Sequence, residues 1–127
     1  MKKRLVQRKQ EFLTALRRLQ EACEQPENSF IRDAVIQRFE FTYELSWKTL
    51  QLILAQKDID VRNPKDVLNA ALEQGLITDG NLWSQLHKNR NLTTHTYDEE
   101  EAQKIYLFVK TQAVKLFFAL AQQIDIT

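Results

Sequence analysis

Glycine and proline are scarce in this sequence, with two of each among 127 residues. Sheet proteins need many tight turns that rely on these residues, so their scarcity predicts an all-α chain. The single cysteine, Cys23, excludes an intramolecular disulfide, and its sequence neighbourhood gives no sign of a nucleophile. The sequence also lacks a glycine-rich phosphate loop, a paired-cysteine motif and a His-Glu-x-x-His pattern. We therefore expect neither a metal site nor a cofactor.

A strong net charge and a long apolar run are missing as well. Lys and Arg total 18 and Asp and Glu total 17, so the net charge of +1 provides no general attraction to nucleic acid or anionic membrane. The start, MKKRLVQRKQEF, lacks the apolar core of a secretory signal. No run approaches the roughly 18 to 20 apolar residues of a membrane span. We expect a cytoplasmic protein without membrane contact, folded as a single domain over residues 1–127.

Apolar spacing and capping residues divide the chain into five predicted helices. Asn28 or Ser29 is suited to cap the second helix, and Asn63 followed by Pro64 is a typical start for the third. At the start of the last helix, Thr96 and Glu99 fit a capping box. The predicted helices run from about Lys3 to Glu24, from Phe30 to Gln56, from Pro64 to Gly75, from Asp79 or Asn81 to Thr94, and from Thr96–Asp98 to Ile124.

The second and last helices each carry two apolar faces instead of the single stripe of a simple bundle helix. Two arrangements explain this: a central helix wrapped by its neighbours, or a symmetric homodimer that buries the second face. Tyr43, Trp47 and Trp83 are then core or interface residues. The paired faces comprise Val35, Phe39, Tyr43, Leu50 and Leu54 against Phe41, Leu45 and Leu52, and Ile105, Val109, Ala113, Leu116 and Leu120 against Leu107, Val114, Phe118 and Ala121.

The segment RNLTTHTY, residues 90–97, contains the most reactive combination of side chains. Arg90 and His95 are five positions apart, which in an unbroken helix would separate them by about 140°. A break between two helices lets the His95 ring turn back toward Arg90. One interpretation is a plain interhelical corner. The other is a site for phosphodiesters or nucleotides, in which arginine holds phosphate oxygens and histidine moves a proton.

Three other polar residues on the predicted helices are considered as candidates for a functional site. Glu40 and Glu44 are four positions apart and share a helix face, so they form either a carboxylate pair or an ordinary solvated row completed by Lys48. His87, beside Lys88, is expected on the surface.

The spacing Arg90-x4-His95-x-Tyr97, with the polar Asn91 after the arginine, resembles the signature of HEPN domains. The stretch RFEFTYELSWKTLQ, residues 38–51, resembles the second-helix signature of one HEPN branch, the nucleotidyltransferase substrate-binding proteins. This resemblance implies an antiparallel up-and-down four-helix bundle with an additional short helix. It also implies a homodimer in which Arg90 and His95 face a cleft near the interface.

The resemblance implies a partner, a minimal nucleotidyltransferase encoded by a neighbouring gene, and two alternative roles. In the first, which the second-helix signature favours, the chain is a substrate- or nucleotide-binding subunit. Arg90, Asn91 and His95 then bind a phosphate-bearing ligand, with Glu40 and Glu44 lining the groove. In the second, the chain is a toxin, a metal-independent ribonuclease with His95 as acid or base and Arg90 as phosphate stabiliser. Tyr97 would then receive an inactivating adenylate from the transferase.

Overall fold

The computed structural model describes residues 2–125, and its helices lie close to the predicted segments. No strand occurs in this part of the chain, so the all-α prediction is confirmed. None of the helices between residues 2 and 125 combines the length and apolarity that crossing a membrane requires. The helices are α1 (Lys2–Cys23), α2 (Ser29–Gln56), α3 (Pro64–Glu73), α4 (Gly80–Leu92), α5 (Glu99–Phe108) and α6 (Val114–Asp125), with a 3-10 turn (Thr93–His95) before α5 and a π turn (Val109–Ala113) between α5 and α6.

The long helices alternate in direction along the bundle. Arg38 Nη1 donates to the carbonyl of Arg18 at 2.6 Å, and Thr49 Oγ1 donates to that of Arg8 at 3.4 Å, so α1 and α2 are antiparallel. Between α2 and α4, Glu40 contacts Arg90, and Tyr43, almost one turn later on α2, contacts the earlier His87 on α4. These two helices are therefore antiparallel as well. With α3 as the short extra helix, the predicted up-and-down four-helix bundle is confirmed.

Phe117 occupies the centre of the core. Its ring centroid lies 6.1 Å from that of Phe12, 6.2 Å from that of Phe39 and 6.0 Å from that of Trp83, so it joins α1, α2 and α4 to the last helix. The predicted stripe had Leu116 in this role, but Leu116 is only partly buried and Phe117 is fully buried. The π turn at Val109–Ala113 takes up more residues per turn than an α-helix, which rotates the later positions.

Side-chain caps fix the helix starts. Asn28, Asn63 and Asp79 each accept a hydrogen bond from a backbone N–H in the first turn of α2, α3 and α4. The capping box predicted at Thr96 is wrong, because Asp98 caps α5 by accepting from the backbone N–H groups of Glu100 and Glu101. A carboxylate at this position also interacts favourably with the positive end of the helix dipole.

The two-faced character of the second and last helices persists in the fold. The first apolar face of α2, from Val35 to Leu54, is buried, whereas Phe41 on the second face is 59% exposed. Leu107 and Phe118, on the second face of the last helix, are 47% and 50% exposed. Wrapping by neighbouring helices therefore covers only part of these faces. Their burial in a homodimer stays a prediction.

Candidate functional site

Arg90 lies near the end of α4 and extends its guanidinium toward α2. Its Nη1 atom is 3.7 Å from Glu40 Oε2, and its Nη2 atom is 3.9 Å from Glu44 Oε1. Nη1 also donates to Thr93 Oγ1 at 3.3 Å, while the Thr93 hydroxyl donates to the Arg90 carbonyl at 2.7 Å. The side chain as a whole is 26% exposed.

Glu40 and Glu44 thus hold Arg90 across the α2–α4 interface. Glu44 also lies 3.9 Å from Lys48 Nζ. The glutamates therefore form both a carboxylate pair facing Arg90 and part of the solvated row with Lys48. The Arg90 Nε atom is buried and donates to no acceptor among the described residues. The two carboxylates offset the charge of the guanidinium, so an incoming phosphate group competes with them for Arg90.

His95 and Tyr97 lie together at the corner that follows α4. His95 ends the 3-10 turn and is exposed, and Tyr97 is 84% exposed. Tyr97 Oη is 3.5 Å from His95 Nδ1, at the long limit of a hydrogen bond, and the ring centroids are 6.1 Å apart. Within residues 2–125 no hydrogen bond joins His95 to Arg90. The predicted break exists, but the His95 ring is paired with Tyr97.

Asn91 lies on a different face of α4 from Arg90, next to His87. Asn91 Nδ2 is 3.5 Å from His87 Nε2, and Tyr43 Oη is 2.5 Å from His87 Nδ1. The prediction that His87 lies on the surface holds in part, because this bond to a fully buried tyrosine leaves the ring half-buried. Sequence patterns gave no sign of the Tyr43–His87 pair, because its members are 44 positions apart and neither belongs to a local motif.

Burial is the main reason that the pKa of Tyr43 is raised far above its ordinary value; Glu44 raises it further, and Arg90 acts in the opposite direction. Tyr43 therefore stays a neutral phenol that hydrogen-bonds His87. Burial also raises the pKa of the Cys23 thiol, which keeps it protonated and unreactive. Among the described residues, no group of three or more His, Cys, Asp or Glu side chains is arranged to hold a metal ion.

The predicted site residues therefore fall into three neighbouring groups. Arg90 is joined to Glu40 and Glu44, His95 is joined to Tyr97, and Asn91 lies beside His87. The first group is a guanidinium restrained by two carboxylates. The second presents an imidazole and a phenol to solvent, where both are accessible for proton transfer or modification.

Comparison with known proteins agrees with this architecture. The model of the family described as nucleotidyltransferase substrate binding protein like matches residues 7–125. A curated relative from Haemophilus influenzae, named probable ribonuclease HepT, is 38% identical over an alignment of 103 residues, and the match covers 74% of this chain and 70% of the relative.

Three solved structures share the fold. A Thermus thermophilus protein superposes with a TM-score of 0.81 at 34% identity, over 88% of this chain and 97% of that chain. A Haemophilus influenzae protein, described as revealing the fold of a substrate binding domain of a nucleotidyltransferase, gives 0.76 at 29% identity over 95% and 98%. A tri-AMPylated Shewanella oneidensis HEPN toxin in complex with an MNT antitoxin gives 0.79 over 97% of both chains, and at 16% identity this likeness supports the fold alone. Since the family model spans nearly the whole chain, the protein belongs to the family of nucleotidyltransferase substrate binding protein like chains.

Proposed function

We propose that this chain is the substrate- or nucleotide-binding subunit of a two-component nucleotidyltransferase system. Arg90 binds the phosphate of the ligand, Asn91 and His95 add contacts from another face of α4 and from the 3-10 turn, and Glu40 and Glu44 line the groove. A separate minimal nucleotidyltransferase chain, encoded by a neighbouring gene, supplies the catalytic fold. The membership of the family supports the general role, and the restrained guanidinium of Arg90 is the observation on which the site assignment depends.

The arrangement around Arg90 suits reversible binding. A guanidinium fork matches two oxygens of a phosphate, and here it is held in place by α2 before any ligand arrives. The guanidinium is partly exposed, so a phosphate reaches it without unfolding of the corner. Because the carboxylates must be displaced or tolerated, binding is weaker than at an unopposed arginine, which suits a subunit that releases its substrate.

Calorimetric titration with ATP in the presence of a chelator tests this site. We expect Arg90→Ala to weaken ATP binding by about tenfold or more, because it removes a charge-assisted phosphate contact. Arg62→Ala removes the same charge from an exposed side chain outside the site and serves as the matched control. Equal affinities for the parent chain and Arg90→Ala would refute the site.

The partner assignment has its own test. The chain and the transferase encoded beside it should elute together in size-exclusion chromatography at micromolar concentration. If the transferase docks on a surface other than the ligand site, the Arg90→Ala chain should also elute together with it. Separate elution of the two chains under these conditions contradicts the two-component assignment.

A second candidate function is supported by the relative named probable ribonuclease HepT and by the exposed His95–Tyr97 pair. In this hypothesis His95 accepts the proton of an RNA 2'-hydroxyl, whose oxygen forms a bond to phosphorus while the bond to the 5'-oxygen breaks. The leaving oxygen receives a proton, the product is a 2',3'-cyclic phosphate, and Arg90 offsets the charge of the transition state. Tyr97 is the proposed acceptor of an adenylate group.

Incubation with RNA in a chelator separates the two functions. Cleavage that disappears in both His95→Ala and Arg90→Ala supports the ribonuclease, whereas intact RNA together with retained ATP binding supports the binding subunit. Addition of the neighbouring transferase with ATP and Mg²⁺ should add one or more adenylate masses to the parent chain. Tyr97→Phe should abolish the first of them if Tyr97 is the acceptor.

A further inference from the structure

The groove between α3 and α4 is a cavity that shares only Asn91 with the proposed site around Arg90. It has a volume of 380 Å³, within the range of about 300 to 1,000 Å³ typical of small-molecule sites. Its α3 wall is a single helix face with Lys65, Leu68, Asn69 and Leu72, spaced three and four residues apart. Its α4 wall repeats that spacing from Gly80 to Asn91. Both walls therefore present one continuous helix face to the groove.

The two ends of the groove differ in chemistry, because α3 and α4 run in opposite directions. At one end Leu72 packs so closely against Gly80 that a Cβ at Gly80 would lie 2.9 Å from Leu72 Cδ2. Ile77 and Trp83 add to this end, which is therefore apolar and narrow. Leu72 is 43% exposed, so an apolar side chain at this end of the groove faces solvent. A ligand with an apolar ring would cover it.

The opposite end of the groove is cationic. Lys65 on α3 and Lys88 on α4 line it, together with His87 and Asn91, and no aspartate or glutamate is among the lining residues. Neither lysine belongs to any ion pair within residues 2–125, in a chain with 17 acidic residues. Two unopposed ammonium groups beside hydrogen-bonding side chains are suited to an anion.

We propose that the α3–α4 groove binds a small aromatic anion, a flat ring joined to a phosphate or carboxylate. The ring lies against Leu72, Ile77 and Trp83, and the anionic group lies between Lys65 and Lys88. This site is separate from the Arg90 site, because Arg90 extends to the α2 face of the same helix. It gives the chain a second ligand that does not compete for the guanidinium.

Phenyl phosphate and benzoate are the probes, titrated into the 15N-labelled chain and followed by NMR. Amide shifts are expected at residues that line the groove and at the Trp83 indole N–H. Inorganic phosphate has the anionic group without the ring, and benzyl alcohol has the ring without the anionic group. Each should bind about tenfold more weakly than phenyl phosphate or not at all. Binding of phenyl phosphate alone would assign a phosphate ligand, and equal binding of benzoate would assign a general anion.

Variants then locate the two ends. Lys65→Gln with Lys88→Gln should weaken phenyl phosphate binding by about tenfold or more, whereas Lys57→Gln with Lys115→Gln, an equal change of charge on exposed lysines elsewhere, should not. Leu72→Glu should block the ring end. The shift of the Trp83 indole N–H reports this groove, whereas calorimetry with ATP reports the Arg90 site, so failure here and failure of the Arg90 site are distinguishable. Shifts scattered outside the groove, or unchanged affinity in the Lys65 and Lys88 variant, would overturn the proposal.

Discussion

The clearest test of the Arg90 site is to remove the charges that restrain it. Glu40→Gln and Glu44→Gln keep the size of both side chains and abolish the two carboxylates within 4 Å of the guanidinium. If the glutamates compete with phosphate, their neutralisation strengthens binding of ATP. If they instead contact the ligand directly, for example by accepting from a ribose hydroxyl, it weakens binding. The sign of the effect therefore decides between these two roles.

The size of the effect follows from the distances and the exposure. Unit charges about 4 Å apart interact by about 1 kcal/mol in water. Arg90 is 26% exposed and the two glutamates are 36% and 37% exposed, so solvent screening keeps each pair within roughly 0.2–1 kcal/mol. An upper value of about 1 kcal/mol corresponds to about a fivefold gain in affinity per glutamate. We expect up to about 25-fold for the double variant, with a loss of unfolding free energy of at most about 2 kcal/mol.

Calorimetric titration with ATP at low and high salt measures this gain, and urea unfolding measures the cost in stability. Glu21→Gln with Glu73→Gln removes two exposed carboxylates that take part in no ion pair of the described residues, and controls for the change in net charge. The gain should shrink at high salt. A control variant that gains as much as the double variant would show that net charge alone is responsible, and a loss of affinity in the double variant would refute the competition.

Three further predictions concern the scaffold and are measured by urea unfolding. Phe117→Ala, which empties the centre of the aromatic core, should cost about 3–5 kcal/mol; a cost below about 1 kcal/mol would contradict its central role. Asp98→Ala should lower the free energy of unfolding by about 1 kcal/mol, because it removes the cap of α5. Thr96→Ala should lower it by less than half as much, and the reverse order would support the capping box at Thr96. His87→Ala should lower the free energy of unfolding by about 1–3 kcal/mol, because it leaves the buried Tyr43 hydroxyl without its partner. The loss should be smaller in a Tyr43→Phe background, and equal losses in both backgrounds would show that the hydrogen bond contributes nothing to stability.

Local signals predicted the helices well, because capping and apolar spacing act over a few residues. Asn28 and the pair of Asn63 and Pro64 begin helices as expected. The sequence did not reveal the π turn at Val109–Ala113, since the apolar residues there fit an α-helix as well, and Phe117 was missed as a result. Thr96 and Asp98 are both good caps, and the choice between them depends on how the 3-10 turn positions the chain.

The candidate site was harder to predict, because its contacts join residues far apart in the sequence. The motif identifies Arg90 and His95 as one unit, yet Arg90 is bound by glutamates of α2, and His95 is paired with Tyr97. Nothing near residue 90 in the sequence indicates that Glu40 lies opposite it. The sequence thus singled out Arg90 and His95 as candidates, whereas the partners of Arg90 depend on the packing of α2 against α4.

The different partners of Arg90 and His95 affect any function that needs both side chains on one ligand. Successive residues of a helix are about 100° apart, so α4 turns Arg90 toward α2 and Asn91 toward α3. His95 lies beyond the helix, in the 3-10 turn. For Arg90 and His95 to bind one phosphate, the phosphate must compete with Glu40 and Glu44 for the guanidinium and with Tyr97 for the imidazole. A ligand with two or more phosphates, or an RNA backbone, bridges them more readily than a single phosphate. Neutralising the glutamates should therefore strengthen ATP binding more than binding of inorganic phosphate, and an equal gain for both would show that His95 takes no part.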